Sequence, residues 1–204
     1  MSVDLKKVSW DSDDCRRSKS QLFPKIIRCI ISGSSGSGKT YAALNMILQE
    51  LIDYDHLIIA SPSLIQPEYQ ILVKCLEKGL PCDEILNIFN NENKIKGSGY
   101  DADTVIDGIA KELRTKPSGN IETYTDPNDV PDPADLSPYT LVLFDDTMLD
   151  PARAELFFTR GRPLKISTIF ITQSYYQIPR RTIRENSNVI IFFKQNQKSL
   201  DHIY

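Results

Sequence analysis

Between an apolar run at residues 25–32 and a helical pattern that starts at Lys39, the chain reads Gly33-Ser34-Ser35-Gly36-Ser37-Gly38-Lys39-Thr40, a full match to GxxxxGK[ST]. Residues 25–32 are rich in β-branched side chains, as in a strand buried on both faces. After Lys39, apolar Ala42, Ala43, Met46, Ile47 and Leu51 recur at helical spacing. Strand, glycine loop and helix in that order are the context in which such a loop wraps phosphates. Gly33 and Gly38 let the backbone come close, and successive N–H groups with the helix N-terminus point at the anion. In that arrangement Lys39 reaches the β and γ phosphates of ATP. The Thr40 hydroxyl sits on Mg²⁺, which takes its other ligands from water, phosphate oxygens and a nearby carboxylate. A Gly/Ser-rich turn met by chance is the bland alternative, and the flanking strand and helix count against it.

The strand and helix rhythm continues along the chain. Strands are expected at residues 56–60, 141–146, 167–172 and 189–194, and helices at 68–80, 104–114, 151–160 and 179–185. Residues 90–100 and the Pro- and Asp-rich stretch 116–138 read as loops. Alternating strands and helices predict an α/β fold, a mostly parallel central sheet flanked by helices. A polar lead, 1–20, precedes a single domain, 21–204. With 204 residues, 41% hydrophobic and 25% charged, there is material for one good core. The net charge of −3 gives no overall basic field, so any nucleic-acid contact must come from local basic clusters.

Cys15, Cys29, Cys75 and Cys82 form no C-x-x-C pair, and with only His56 and His202 beside them they read as free thiols rather than zinc ligands. The lead lacks the apolar core of a signal peptide and no apolar run reaches membrane-spanning length, so a soluble, intracellular protein is expected.

A phosphate loop needs an acidic partner at the end of a neighbouring strand. Asp145, after Leu141-Val142-Leu143-Phe144, has that form and is assigned to the Mg²⁺ shell. Asp146 follows as the candidate base for the attacking water, or as a helix cap. Gln173 closes the apolar strand Ile169-Phe170-Ile171-Thr172, where an amide either senses the γ-phosphate and orients water or simply ends a strand. Two arginine clusters follow these strands, Thr159-Arg160-Gly161-Arg162 and Arg180-Arg181-Thr182-Ile183-Arg184. Arg160 or Arg162 is the candidate arginine finger for a neighbouring subunit, while a solvated face and a contact to the DNA backbone stay open for both clusters. Tyr175-Tyr176 read as packing before base stacking. Lys6-Lys7 and Arg16-Arg17, beside Asp11, Asp13 and Asp14, read as a flexible arm before a nucleic-acid contact.

Taken together, these residues resemble the genome-packaging ATPases of large DNA viruses and virus-like transposons, a branch of the FtsK/HerA superfamily of P-loop NTPases. The resemblance rests on Pro24, the loop 33–40, Ser61-Pro62-Ser63 with Glu68-Tyr69, Phe144-Asp145-Asp146 and Thr159-Arg160-Gly161-Arg162. It rests most of all on Thr172-Gln173-Ser174-Tyr175-Tyr176 with Ile178-Pro179-Arg180 and Ile183-Arg184-Glu185-Asn186. It runs from about Gln21 onward, with the middle loop poorly matched. It implies a RecA-like core of the ASCE type, assembled as a ring homo-oligomer (pentamer or hexamer), that drives double-stranded DNA into a preformed capsid, with the viral capsid or portal vertex as its partner. By the same resemblance Lys39, Thr40 and Asp145 stand at the nucleotide and metal ligands, Asp146 at the catalytic acid, Gln173 at the sensor and Arg160 or Arg162 near the trans finger. Such a protein works inside the infected host, in the cytoplasm or at the viral assembly site, or travels with the virion. Aspartate rather than glutamate at Asp146 agrees with the viral branch and departs from the wider superfamily. The family continues past a stretch like Ser199-Leu200-Asp201-His202-Ile203-Tyr204 for a further helix and strand, so a compact or a truncated version is expected here.

Two other classes compete with a DNA-translocating ATPase: a nucleotide-switched assembly protein with little turnover, and a P-loop kinase. The kinase needs an Arg-rich lid around an acceptor pocket, and the sequence arranges none.

Overall fold

The computed structural model describes residues 22–97, 102–116, 120–145, 151–175, 178 and 181–194, with the side chains of 92–97, 102 and 151 left aside. The strands are β1 (Arg28–Ser32), β2 (His56–Ala60), β3 (Ile121–Tyr124), β4 (Thr140–Asp145), β5 (Ser167–Thr172) and β6 (Val189–Phe192). The helices are α1 (Lys39–Leu48), α2 (Pro67–Glu77), α3 (Cys82–Gly97), α4 (Ala102–Leu113), α5 (Pro151–Arg160) and α6 (Arg181–Asn186).

Side chains alternate across a strand, so a strand apolar at every position must be covered on both faces. β4 is buried at all six positions and β5 at its first five. Cys29, Ile31, Leu57, Ile59, Leu141, Leu143, Ile169 and Ile171 enter one core with residues of α1 to α4, such as Leu44, Leu72, Ile85 and Ile106. Their neighbours Ile30, Ile58, Val142, Phe144 and Phe170 enter a second core, closed by Phe157 and Phe158 of α5 and Ile183 of α6. There Phe144 meets Phe157 edge to face, with centroids 5.1 Å apart. The result is three layers, helix, sheet and helix.

Among the described residues the sheet has six strands in the order β3-β2-β4-β5-β1-β6, every pair parallel. β5 therefore stands between β1, which leads into the glycine loop, and β4, which carries Asp145. This is the additional-strand (ASCE) arrangement of the P-loop NTPase fold, and the chain has that fold.

Two expectations change. The stretch 116–138, read as a loop, contains β3, which pairs with β2 from Leu57↔Ile121 to Ala60↔Tyr124, followed by short 3-10 turns at Pro127–Asp129 and Pro133–Asp135. β3 is an edge strand with a half-exposed burial pattern, so it lacks the apolar run that betrays a central strand. Residues 90–97, also read as loop, prolong α3, whose polar second half needs no apolar stripe once the first half is anchored by Ile85 and Ile88. Among the described residues no helix is long and apolar enough to cross a membrane.

Candidate nucleotide-binding site

In a parallel sheet, the strand ends that point the same way collect loops from distant parts of the chain, and ligands settle outside the carboxyl ends. Here β1, β4 and β5 end side by side. A solvent-open cavity of about 210 Å³ lies over them, lined by Ser35, Gly36, Lys39, Thr40, Asp145, Thr172 and Gln173, with Ser63 and Gln66 from the segment after β2.

The glycine loop owes its shape to two close approaches and two left-handed residues. A Cβ at Gly33 would fall 2.6 Å from the Phe193 Cβ and 2.7 Å from the Ser37 Oγ, so only glycine fits between β6's exit and the loop. Gly36 and Gly38 have φ of 69° and 91°, and Gly38 is the N-cap of α1. The loop's start is tied down by backbone bonds from Gly33 N–H to Thr172 O (3.2 Å) and from Ser34 N–H to Lys194 O (3.0 Å). These bonds join three strand ends to one loop.

Lys39 is only 9% exposed, and its ammonium donates to the carbonyl oxygen of Ser34, 2.9 Å away, inside the loop it follows. A buried ammonium resting on a neutral carbonyl is stabilised by an anion arriving beside it. The Ser37 Oγ is buried in the same loop without a hydrogen-bond partner. Both features suit a phosphate chain. The Thr40 hydroxyl donates to Asp145 Oδ2 at 2.9 Å. Because its proton is committed there, the oxygen can present lone pairs to a cation, and a hydroxyl plus a carboxylate is the hard donor set that Mg²⁺ takes from a protein. The residues present thus fit a Mg²⁺–nucleotide.

Gln173 lies just past β5 and reaches the same cavity. Its turn is set by Thr172, whose Oγ1 and the Ser174 backbone hydrogen-bond each other. Asp146, Tyr176, Pro179, Arg180 and the lead 1–20 lie outside the described residues. Tyr175 packs edge to face on Phe192, centroids 5.1 Å apart, with Arg184 over its ring, which is the packing role.

Arg160 and Arg162 are not brought into the cavity. Both are exposed where α5 hands over to β5, at the amino ends of the strands. Arg162 lies close enough to Arg28, the first residue of β1, to depress its pKa after burial has already lowered it. With ~3.3 Å per strand residue, the length of β5 puts them roughly 16 Å from their own chain's cavity.

One contact escaped the sequence. Tyr69 of α2 is fully buried, and its hydroxyl donates to Asp145 Oδ2, the oxygen that also accepts from Thr40. Burial, then the Asp145 charge, pushes the phenol's pKa up, so it remains a donor. The available signal was a tyrosine on the apolar face of a helix: buried, its hydroxyl must find a partner.

No protein-family profile and no curated protein matches the sequence. Solved structures similar to this chain include the genome packaging NTPase B204 of Sulfolobus turreted icosahedral virus 2, solved with sulfate. It is 13% identical with TM-score 0.48, over 89% of this chain and 80% of that one. VirB4 of Thermoanaerobacter pseudethanolicus is similar at 12% identity and TM-score 0.46, over 86% and 79%. The cytoplasmic domain of EssC is similar at 13% identity and TM-score 0.44, over 86% of this chain and 34% of that chain, so this chain spans about a third of its length.

Proposed function

We propose that this chain is a Mg²⁺-dependent ATPase that translocates double-stranded DNA during viral genome packaging, working as a ring of identical copies against a capsid or portal. The observation that carries the nucleotide part is the convergence of Lys39, the Thr40–Asp145 pair and Gln173 on one cavity at the carboxyl ends of β1, β4 and β5. The DNA and packaging part is supported by the sequence resemblance, above all the stretch from Thr172 to Asn186.

In this reading the loop N–H groups and the start of α1 hold the phosphates, and Lys39 swings from the Ser34 carbonyl to the β and γ oxygens. Thr40 and Asp145 hold Mg²⁺, which when bound neutralises charge developing on the phosphates. Asp146, next in sequence after Asp145, accepts the proton of the attacking water, and Gln173 orients that water or senses the γ-phosphate. The protein's contribution is positioning and charge stabilisation, with no covalent intermediate. Arg160 or Arg162 completes the site of a neighbouring copy, because neither reaches its own.

The test is phosphate release from ATP and Mg²⁺ by wild type and Lys39→Ala, each with and without duplex DNA. Turnover that rises with DNA and vanishes in Lys39→Ala supports the motor. ATP binding without turnover replaces it with a nucleotide-switched assembly protein, and transfer of phosphate to an acceptor other than water replaces it with a kinase.

A further inference from the structure

Three hydroxyl and carboxylate groups, from three separate segments, meet behind the cavity. Asp145 Oδ2 accepts from Thr40 Oγ1 at 2.9 Å and from the Tyr69 hydroxyl. A carboxylate oxygen has two lone pairs in its plane, so two donors on one oxygen fix both the rotation of the carboxylate and the face it turns to the cavity. Tyr69 itself cannot drift, because its ring is fully buried in the core shared by α1 to α4, beside Ile71, Leu72 and Cys75. The hydroxyl of Tyr69 is the link between that buried ring and the carboxylate of the site.

We infer that Tyr69 is a positioning residue for the metal: its hydroxyl holds Asp145 and, through it, Thr40 in the orientation that receives Mg²⁺ with the nucleotide. This rests on the nucleotide-binding reading above. Without the hydroxyl, Asp145 Oδ2 loses the donor anchored in the core, which loosens the rotation of the carboxylate and with it the direction of the Thr40 proton. The phosphate loop is built from other bonds, to Thr172 and Lys194, and stays as it is. Tyr69 thus acts on metal affinity and leaves the metal-free grip on phosphates alone.

The experiment compares wild type and Tyr69→Phe, full chain, for three quantities: affinity for a fluorescent ATP analogue in excess Mg²⁺, the same affinity in EDTA, and binding of Mn²⁺ read by electron paramagnetic resonance with nucleotide present. The expected result is EDTA affinity within about twofold of wild type and a loss of about tenfold in Mn²⁺ affinity and in the gain from Mg²⁺, as is typical when a residue orienting a metal ligand is removed. A lower melting temperature with metal affinity unchanged overturns the inference and makes Tyr69 a core residue with a satisfied hydroxyl. If Tyr69→Phe does not fold, 3-fluorotyrosine at the same position keeps ring and donor. Its fluorine resonance should then differ between ATP with Mg²⁺ and ATP with EDTA, and an identical resonance overturns the inference. Wild type that binds no nucleotide sinks the functional reading itself, which separates the two failures.

Discussion

At the amino ends of the strands, several polar groups tie the chain together, while Arg28 Nε and Thr168 Oγ1 are buried there without a hydrogen-bond partner. Ser167 Oγ, buried, accepts from the Ile27 N–H at 3.2 Å, and Asn188 both accepts from Arg28 N–H at 2.7 Å and donates to Ile26 O at 2.9 Å. Arg28 donates to the carbonyl of Phe158 at 3.1 Å. The carboxyl ends differ in what they face. The Lys39 ammonium rests on a neutral carbonyl, Ser37 Oγ has no partner, and Thr40, Asp145 and Gln173 border an open cavity. What separates the two ends is the cavity: Lys39, Thr40, Asp145 and Gln173 border it, while the groups named at the amino ends bond the chain to itself. Substitutions at the carboxyl ends should therefore cost ligand binding with little stability, and those at the amino ends the reverse.

The largest expected effect is at Lys39. Lys39→Ala should weaken nucleotide binding about 100-fold, the ~3 kcal/mol typical of truncating one partner of a buried charged contact, while melting stays near wild type. Titration of a fluorescent ATP analogue beside a thermal melt checks both. A melt lowered by many degrees with affinity kept would break the comparison from its strongest side.

Next comes Asp145→Asn, which keeps the shape and an acceptor oxygen for Tyr69 or Thr40 but removes the charge. It should abolish most of the Mg²⁺-dependent gain in nucleotide affinity, about tenfold or more, with the EDTA value little changed. An equal loss in EDTA would mean that Asp145 shapes the loop instead of serving the metal.

Ser167→Ala probes the other end. It leaves the Ile27 N–H buried without its acceptor, so stability should fall by about 2 kcal/mol, which for a chain of this size lowers the melting temperature by several degrees. Nucleotide affinity, measured well below the melt, should not move. A change in affinity here would show that the two ends are coupled through β5, and would sharpen the comparison into a statement about that strand.

How far this division could be read beforehand depends on how local each signal is. The phosphate loop is legible because its glycines, Lys39 and Thr40 follow one another in sequence, and the strand before them is apolar at nearly every position. β4 and β5 are legible for the same reason, each a buried run ended by polar Asp145 or Gln173. β3 was hidden because an edge strand with one neighbour needs no such run, and Ile121-Glu122-Thr123-Tyr124 lies amid prolines and aspartates. The Tyr69–Asp145 contact spans 76 residues and depends on α2 packing against the sheet, so the sequence singles out Tyr69 only within the resemblance and gives no sign of its partner. The placement of Arg160 and Arg162 needs the topology: only once α5 is known to run back from the end of β4 to the start of β5 do they fall at the amino ends.

The smallest effect is expected at Arg162. Arg162 is exposed and lies near the partly buried Arg28, whose own charge is disfavoured first by burial and then by Arg162. Removing a like charge from beside a half-desolvated arginine relieves repulsion, so Arg162→Ala should leave stability unchanged or raise it by no more than about 0.5 kcal/mol, the ordinary span for surface positions. Nucleotide affinity of the dilute chain should be that of wild type, because the residue stands about 16 Å from its own cavity across the length of β5. If Arg162 serves a neighbouring copy, the loss appears only in turnover at concentrations where copies assemble. Turnover lost in the dilute, unassembled chain would instead place the residue in its own site and contradict the division of the sheet into a binding end and a tying end.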